Sequence, residues 1–152
     1  LADTTGQAYM RTTDAQAADI GAQFTLGGLY NASSHYAFAG IAGRKENGTS
    51  GNVAGYLDFL TTTSAGALTS RMRIDSSGNI GIGVTTFGTS AAKVLGLANA
   101  TAPSTSPAGM GQLYVESGAL KFRGSSGPSP QSQPPNLNDH DYPLLDHRTP
   151  SR

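Results

Sequence analysis

The chain has 152 residues with ten basic and ten acidic side chains, so its formal charge is zero, and it lacks both cysteine and tryptophan. Scattered basic residues without a patch argue against a nucleic-acid surface, and the missing thiols remove disulfides and thiolate metal sites. No apolar run approaches the ~20 residues of a membrane-spanning helix, and no secretory signal is visible.

Only 13% of the residues are charged and 7% aromatic, while 20 are glycine. A typical domain carries about a quarter charged residues. Much of the 37% hydrophobic fraction is alanine. Such a chain buries little apolar area by itself, and at roughly 25 cal/mol per Å² this hardly offsets roughly 1–2 kcal/mol of backbone entropy per residue. The missing burial is expected to come from other chains. The start at Leu1 reads as a processed product or a fragment of something longer.

Residues 1–20 are small and polar and read as an extended arm. Ala22 to Leu29 alternates as a strand, with Phe24 and Leu26 opposite Gln23 and Thr25. Tyr36 to Ile41 is a second strand. Gly43 to Asn52 reads as a polar loop with Asn47-Gly48 as its turn signal and Arg44, Lys45 and Glu46 on its surface. Tyr56 to Thr61 is a third strand, with Leu57 and Phe59 facing opposite Tyr56, Asp58 and Leu60. Arg71 to Asp75 and Asn79 to Val84 are two alternating strands joined by the Ser76–Asn79 turn. In the first, Met72 and Ile74 alternate with Arg71, Arg73 and Asp75. In the second, Ile80, Ile82 and Val84 alternate with Asn79, Gly81 and Gly83. Glycines at outward strand positions suggest close approach of another backbone, here a copy of the same chain. Lys93 to Leu97 is a short strand or helical turn, and Ala100 to Gly109 a linker. Gln112 to Val115 and Ala119 to Phe122 form a hairpin about Glu116-Ser117-Gly118. Composition breaks at Gly127: residues 128–152 hold six of the 8 prolines and no Gly, Ala, Val or Ile. This tail is expected to be irregular. The division is therefore an arm (1–20), a β-rich domain (21–99), a linker (100–110), a terminal hairpin (111–127) and a Pro-rich tail (128–152).

RMRIDSSGNIGIGVTT, Arg71 to Thr86, resembles a phrase that recurs in bacteriophage tail-fibre and related virion-fibre proteins, often just before a self-cleaving intramolecular chaperone domain. Gly43 to Ile74 and Gly111 to Gly127 fit the same resemblance, which covers most of residues 36 to 127. It implies an all-β, elongated, intertwined homotrimer, located on a virion and supporting host attachment. The implied partners are identical copies, other virion proteins and host-surface glycan, without nucleic acid or membrane insertion. Related fibres often continue after GSSG with TVTTIA. The codons of GPSPQSQP, shifted by two bases, permit that reading, so the tail is either an out-of-frame extension or an ordinary Pro-rich segment. The catalytic region of the chaperone does not appear in residues 128–152.

Chemistry is sparsely represented. Asp75, Ser76, Ser77 and Asn79 surround Gly78 as a β-turn would, and lack the spaced carboxylates of a calcium loop. Asp139, His140, Asp141, Asp146 and His147 lie in the tail without a scaffold. His35 reads as a turn residue at a strand entry. Asp3, Asp14, Asp19, Glu46, Asp58 and Glu116 are dispersed, and no nucleophile elbow or P-loop occurs. Three sequons, at Asn31, Asn47 and Asn99, fit coincidence in an Asn- and Thr-rich chain. Arg71, Arg73 and Asp75 are candidates for pairing across chains. No catalytic residue, cofactor or metal is expected. Tyr30, Tyr36 and Tyr56 are the aromatic candidates for stacking against a sugar, or alternatively for packing in the sheet. A depolymerase with paired carboxylates is the third class of function.

Overall fold

A computed structural model describes residues 9–125 and the backbone of 127–128. Among the described residues the fold is all-β, with no helix. The chain divides into two compact units, the first ending at Ala98 and the second beginning at Asn99.

The first unit is one six-stranded sheet in sequential order: β1 (Gly21–Leu29), β2 (His35–Lys45), β3 (Gly55–Thr62), β4 (Leu68–Ile74), β5 (Ile80–Ile82) and β6 (Leu95–Leu97). The first five strands pair antiparallel, as short turns allow, and β6 joins β5 in parallel. Thus the stretch expected as a short strand or helical turn over Lys93 to Leu97 is a strand at Leu95–Leu97, entered through Lys93 at positive φ. β2 runs past Ile41 to Lys45, so Arg44 and Lys45 are strand residues rather than loop surface. The turn that follows sits at Thr49–Asn52, where Gly51 takes φ +77°, instead of at Asn47-Gly48.

Register sorts the side chains into two faces. Phe24, Ile41, Phe59, Met72, Ile82 and Leu97 are successive pairing partners and form one row across all six strands. A second row, Ala22–Gly43–Leu57–Ile74–Ile80–Leu95, runs beside it on the same side. This face is open: Phe24 (54%), Ile41 (43%), Phe59 (37%) and Ile82 (48%) are exposed, while Met72 and Leu97 are half-buried. Two bulges keep the rows aligned, one at Phe38 opposite Leu26/Gly27 and one at Arg71 opposite Phe59/Leu60.

The reverse face holds Ala42, Tyr56, Asp58, Leu60 and Gly81. Ala42, Tyr56 and Leu60 are the buried hydrophobic residues among those described. The chain itself covers this side. Asp19 reaches Tyr56, and residues 84–91 fold back over β5 and β6. The turn back is made at Gly83, φ +72°, which ends β5 at Ile82.

This corrects the expected alternation of Asn79–Val84. Gly81 faces inward, and a Cβ on it would lie 2.2 Å from the Val84 carbonyl oxygen. The close backbone approach therefore comes from Val84 of the same chain, not from a copy. Val84 leaves the row of Ile80 and Ile82 because the left-handed turn at Gly83 carries it to the other side. Asn79 is buried for a related reason. Its amide donates to Asp75 (2.8 Å) and to the Ala91 carbonyl (3.0 Å), and its Oδ1 accepts from the Val94 N–H (3.1 Å).

The second unit is a hairpin, β7 (Gln112–Glu116) and β8 (Ala119–Gly124), closed by Ser117 and Gly118, both at positive φ. Two successive positive φ values make the primed turn that suits strand twist. A two-residue strand, β9 (Gly127–Pro128), adds to β8. Pro128 thus enters a sheet, against the expected break at Gly127. It does so on an edge strand, the place in a sheet where proline is tolerated. The stretch expected as a linker is tied to this hairpin. Arg123 donates to the Ser106 hydroxyl (2.8 Å) and the Ser104 carbonyl (3.1 Å), and Gln112 to the Thr105 carbonyl (3.1 Å).

Candidate functional site

The three candidate tyrosines occupy different settings. Tyr30 and Tyr36 meet edge to face, with centroids 5.7 Å apart and planes at 67°. The β1–β2 hairpin places them: Tyr30 N–H donates to the Ser34 carbonyl (3.0 Å), and Asn31 Oδ1 accepts from the N–H groups of Ser33 (2.9 Å) and Ser34 (2.8 Å). An asparagine side chain that caps its own turn in this way fixes the loop. The Tyr36 hydroxyl donates to the Gly66 carbonyl in the β3–β4 turn. The two turns thereby enclose a cleft of about 490 Å³, lined by both tyrosines, Phe38 and residues Thr62 to Gly66. Exposed aromatic faces beside the hydroxyls of Thr62, Thr63 and Ser64 suit a ligand with apolar faces and a polar rim.

Tyr56 is elsewhere. It is 6% exposed, on the covered face of β3. Its hydroxyl donates to Asp19 Oδ1 at 2.6 Å, and the Arg73 guanidinium lies 3.7 Å over its ring. Both its edge and its face are occupied by its own chain, so it packs rather than presents a stacking surface. Burial first, then the bond to Asp19, pushes its phenol up to about 12.

Around Tyr56 lies the polar network of the molecule. Asp58, 3% exposed, accepts two bonds from Arg73, at 2.8 and 2.9 Å, and a third from Ser70 at 3.1 Å. The expected pairing of Arg73 across chains is thus corrected: its partner is Asp58 one strand away, because Asp58↔Arg73 are register partners. The Asp58 bond holds the guanidinium above its ordinary value, against the opposing effect of burial. Arg71 stands in the β4 bulge and donates to the Thr61 hydroxyl at 2.8 Å.

Asp75 behaves as the turn residue expected. Its Oδ1 accepts from the N–H groups of Ser77 (3.0 Å) and Asn79 (2.8 Å), and Gly78, φ +78°, closes the turn onto the Asp75 carbonyl. Burial raises the Asp75 carboxyl, but bonds from the Asn79 side chain and the backbone of Asn79, Ser77 and Gly78 outweigh it and hold it below the usual carboxylate value. Glu46 reaches the same turn, accepting from the Ser76 N–H (2.6 Å) and hydroxyl (2.7 Å).

Of the remaining candidates, His35 is the first residue of β2. Asn47 accepts from the Thr49 N–H (3.0 Å) and Asn99 from the Gly118 N–H (2.9 Å), so both sequon side chains serve turns. Lys121 and Glu116 pair on the hairpin. Among the described residues no group of three His, Cys, Asp or Glu side chains is placed to hold a metal ion. Asp3 and the Asp139–His147 group lie outside the described residues.

Sequence reasoning missed the Asp19–Tyr56 contact and the residues of the cleft beyond the tyrosines, Phe38 and Thr62 to Gly66. Asp58 carried a signal, standing in phase with Tyr56 and Leu60 on one strand. The cleft carried none, because it depends on two turns meeting. No family model matches the chain, and no curated protein matches it either.

Proposed function

We propose that this chain is a structural component of a phage virion, a homotrimeric fibre or fibre-like appendage that supports host attachment. The observation that carries the reading is the open face of the six-stranded sheet. Six strands present a row of large apolar side chains, yet among the described residues the buried hydrophobic ones are Ala42, Tyr56 and Leu60. A chain that keeps its ion pair inside and its aliphatic row outside has the side-chain distribution of one part of a larger interior. The resemblance of Arg71–Thr86 to virion-fibre sequence supports the virion, and the number three rests on that resemblance.

The test is the location of the chain on the particle together with its native mass. Labelled antibody against the chain should decorate projecting appendages, and the released assembly should contain three copies. Absence of the chain from purified particles would end the virion assignment.

One observation favours a second role on the same appendage. The Tyr30–Tyr36–Phe38 cleft offers the aromatic surface and hydroxyl rim that a glycan uses. If it binds host glycan, Tyr30→Ala should weaken binding of the assembled protein to host-derived glycan at least tenfold. Equal binding by the variant and the parent would remove the cleft from that role.

A further inference from the structure

We infer that the segment from Tyr9 to Asp19 is a strap, hinged at Asp19 and poised to close over the β1–β2 end of the open face of its own chain. Its C-terminal end is fixed. The Asp19 N–H donates to the Lys45 carbonyl (2.9 Å), Asp19 Oδ1 accepts from the Tyr56 hydroxyl (2.6 Å), and the Gln16 side chain donates to the Gly48 carbonyl (2.7 Å). Tyr56 stands on the reverse face, whereas residues 9–12 lie beside Phe24 and Ile41 of the open one. The segment therefore passes round the end of the sheet from one face to the other. Asp19 takes φ +62°, a left-handed conformation that side chains other than glycine seldom adopt, and this turns the strap into β1.

Beyond that anchor the contact is incomplete. Residues 9–12 form one wall of an open groove of about 500 Å³, and Ala22, Phe24 and Ile41 form the other. Tyr9 (67%) and Met10 (58%) are exposed, as are Phe24 and Ile41 across from them. Tyr9 and Met10 are also the only large apolar side chains between positions 9 and 19. Closing the groove buries them against the two row residues, and an aromatic ring with a flexible thioether suits an irregular gap. The strap has an advantage over any separate chain. Thr12 and Asp19 are seven positions apart. So short a tether holds the strap near the face at an effective concentration on the order of millimolar. Closed, it shields the Phe24–Ile41 end of the row and leaves Phe59 to Leu97 as they are. A surface that covers the whole row, identical copies included, has to displace it first. The strap is a property of one chain, whether or not copies assemble.

The chain has no cysteine, so introduced thiols report on the strap directly. In the full chain, Ile41→Cys and Ile82→Cys are each alkylated with a maleimide, once with the native strap and once with Tyr9→Ser and Met10→Ser added. The native strap should slow alkylation of Ile41→Cys at least threefold and leave that of Ile82→Cys unchanged. In dilute solution, Met10→Cys combined with Ile41→Cys should form a disulfide within one chain at least tenfold faster than Met10→Cys combined with Thr25→Cys, which lies on the reverse side of β1. Equal alkylation of Ile41→Cys with both straps, or a disulfide that joins different chains, would overturn the strap. The native mass of the parent, measured separately, decides self-assembly, so the strap and the proposed homotrimer fail by different results.

Discussion

On one side of the six-stranded sheet lie Tyr56, Asp58, Arg73 and Asn79, bonded to one another or to nearby loops and shielded by the arm and by residues 84–91. On the other lie Phe24, Ile41, Phe59 and Ile82, about half exposed. The same strands make both surfaces, so strand propensity does not separate them. What separates them is where the chain sends its own loops. The left-handed turn at Gly83 sends residues 84–91 to the polar side, while on the apolar side Tyr9 to Thr12 come up beside Phe24 and Ile41 at one end of the row. The closed face is held by directional bonds that one chain can satisfy alone. The open face has only non-directional burial to offer, and that needs a second surface.

Perturbing the closed face should be the most damaging change to a single chain's fold. Arg73→Met leaves Asp58 buried without its cation and should cost about 3–5 kcal/mol in urea unfolding at fixed protein concentration. Adding Asp58→Leu should restore most of that loss, because the pair is then replaced by apolar contact. Failure of the double variant to recover would mean that the pair fixes the register of β3 against β4. Next in size is Asn79→Ala, which strips the Asp75, Ala91 and Val94 contacts from a residue 2% exposed. It should lose about 1–3 kcal/mol by the same measurement.

Tyr56→Phe should cost about 1 kcal/mol near neutrality, the usual worth of a hydroxyl bond. It also separates the two faces by pH. The folded phenol is raised to about 12 from an ordinary 10.0. Its stabilisation is fully present below pH 10 and is lost as pH rises from 10 towards 12. The parent should therefore weaken in that window, and the Tyr56→Phe protein should lack that component. A phenol in the parent that titrates at its ordinary value would show that neither the burial of Tyr56 nor its Asp19 contact persists. The smallest effect belongs to the exposed Lys121–Glu116 pair of the second unit. Lys121→Ala should leave the melting temperature unchanged within error, since such pairs on the surface are worth little.

Much of the strand layout was legible because period-two alternation survives in a glycine-rich chain. Tyr56–Thr61 showed its phase directly, with Leu57 and Phe59 on one side and Asp58 on the other. The Ser117-Gly118 hairpin and the Asp75–Asn79 turn were readable from local turn chemistry. What alternation does not encode is which phase is covered. For Ile80, Ile82 and Val84 it pointed to one shared face, and a single positive φ at Gly83 undid that. The ladder from Phe24 to Leu97 needs five registers, two of them adjusted by bulges at Phe38 and Arg71. Tyr56 and Tyr36 looked equivalent as sequence; their difference lies in Asp19 and Gly66, 37 and 30 positions away.

Sedimentation equilibrium of the purified chain over a wide dilution series bears most directly on the central claim. If identical copies supply the missing interior, the mass should hold at three times 15.5 kDa until the protein unfolds. A single-chain mass with a cooperative melt, unchanged by dilution, would show that the apolar row needs no second copy.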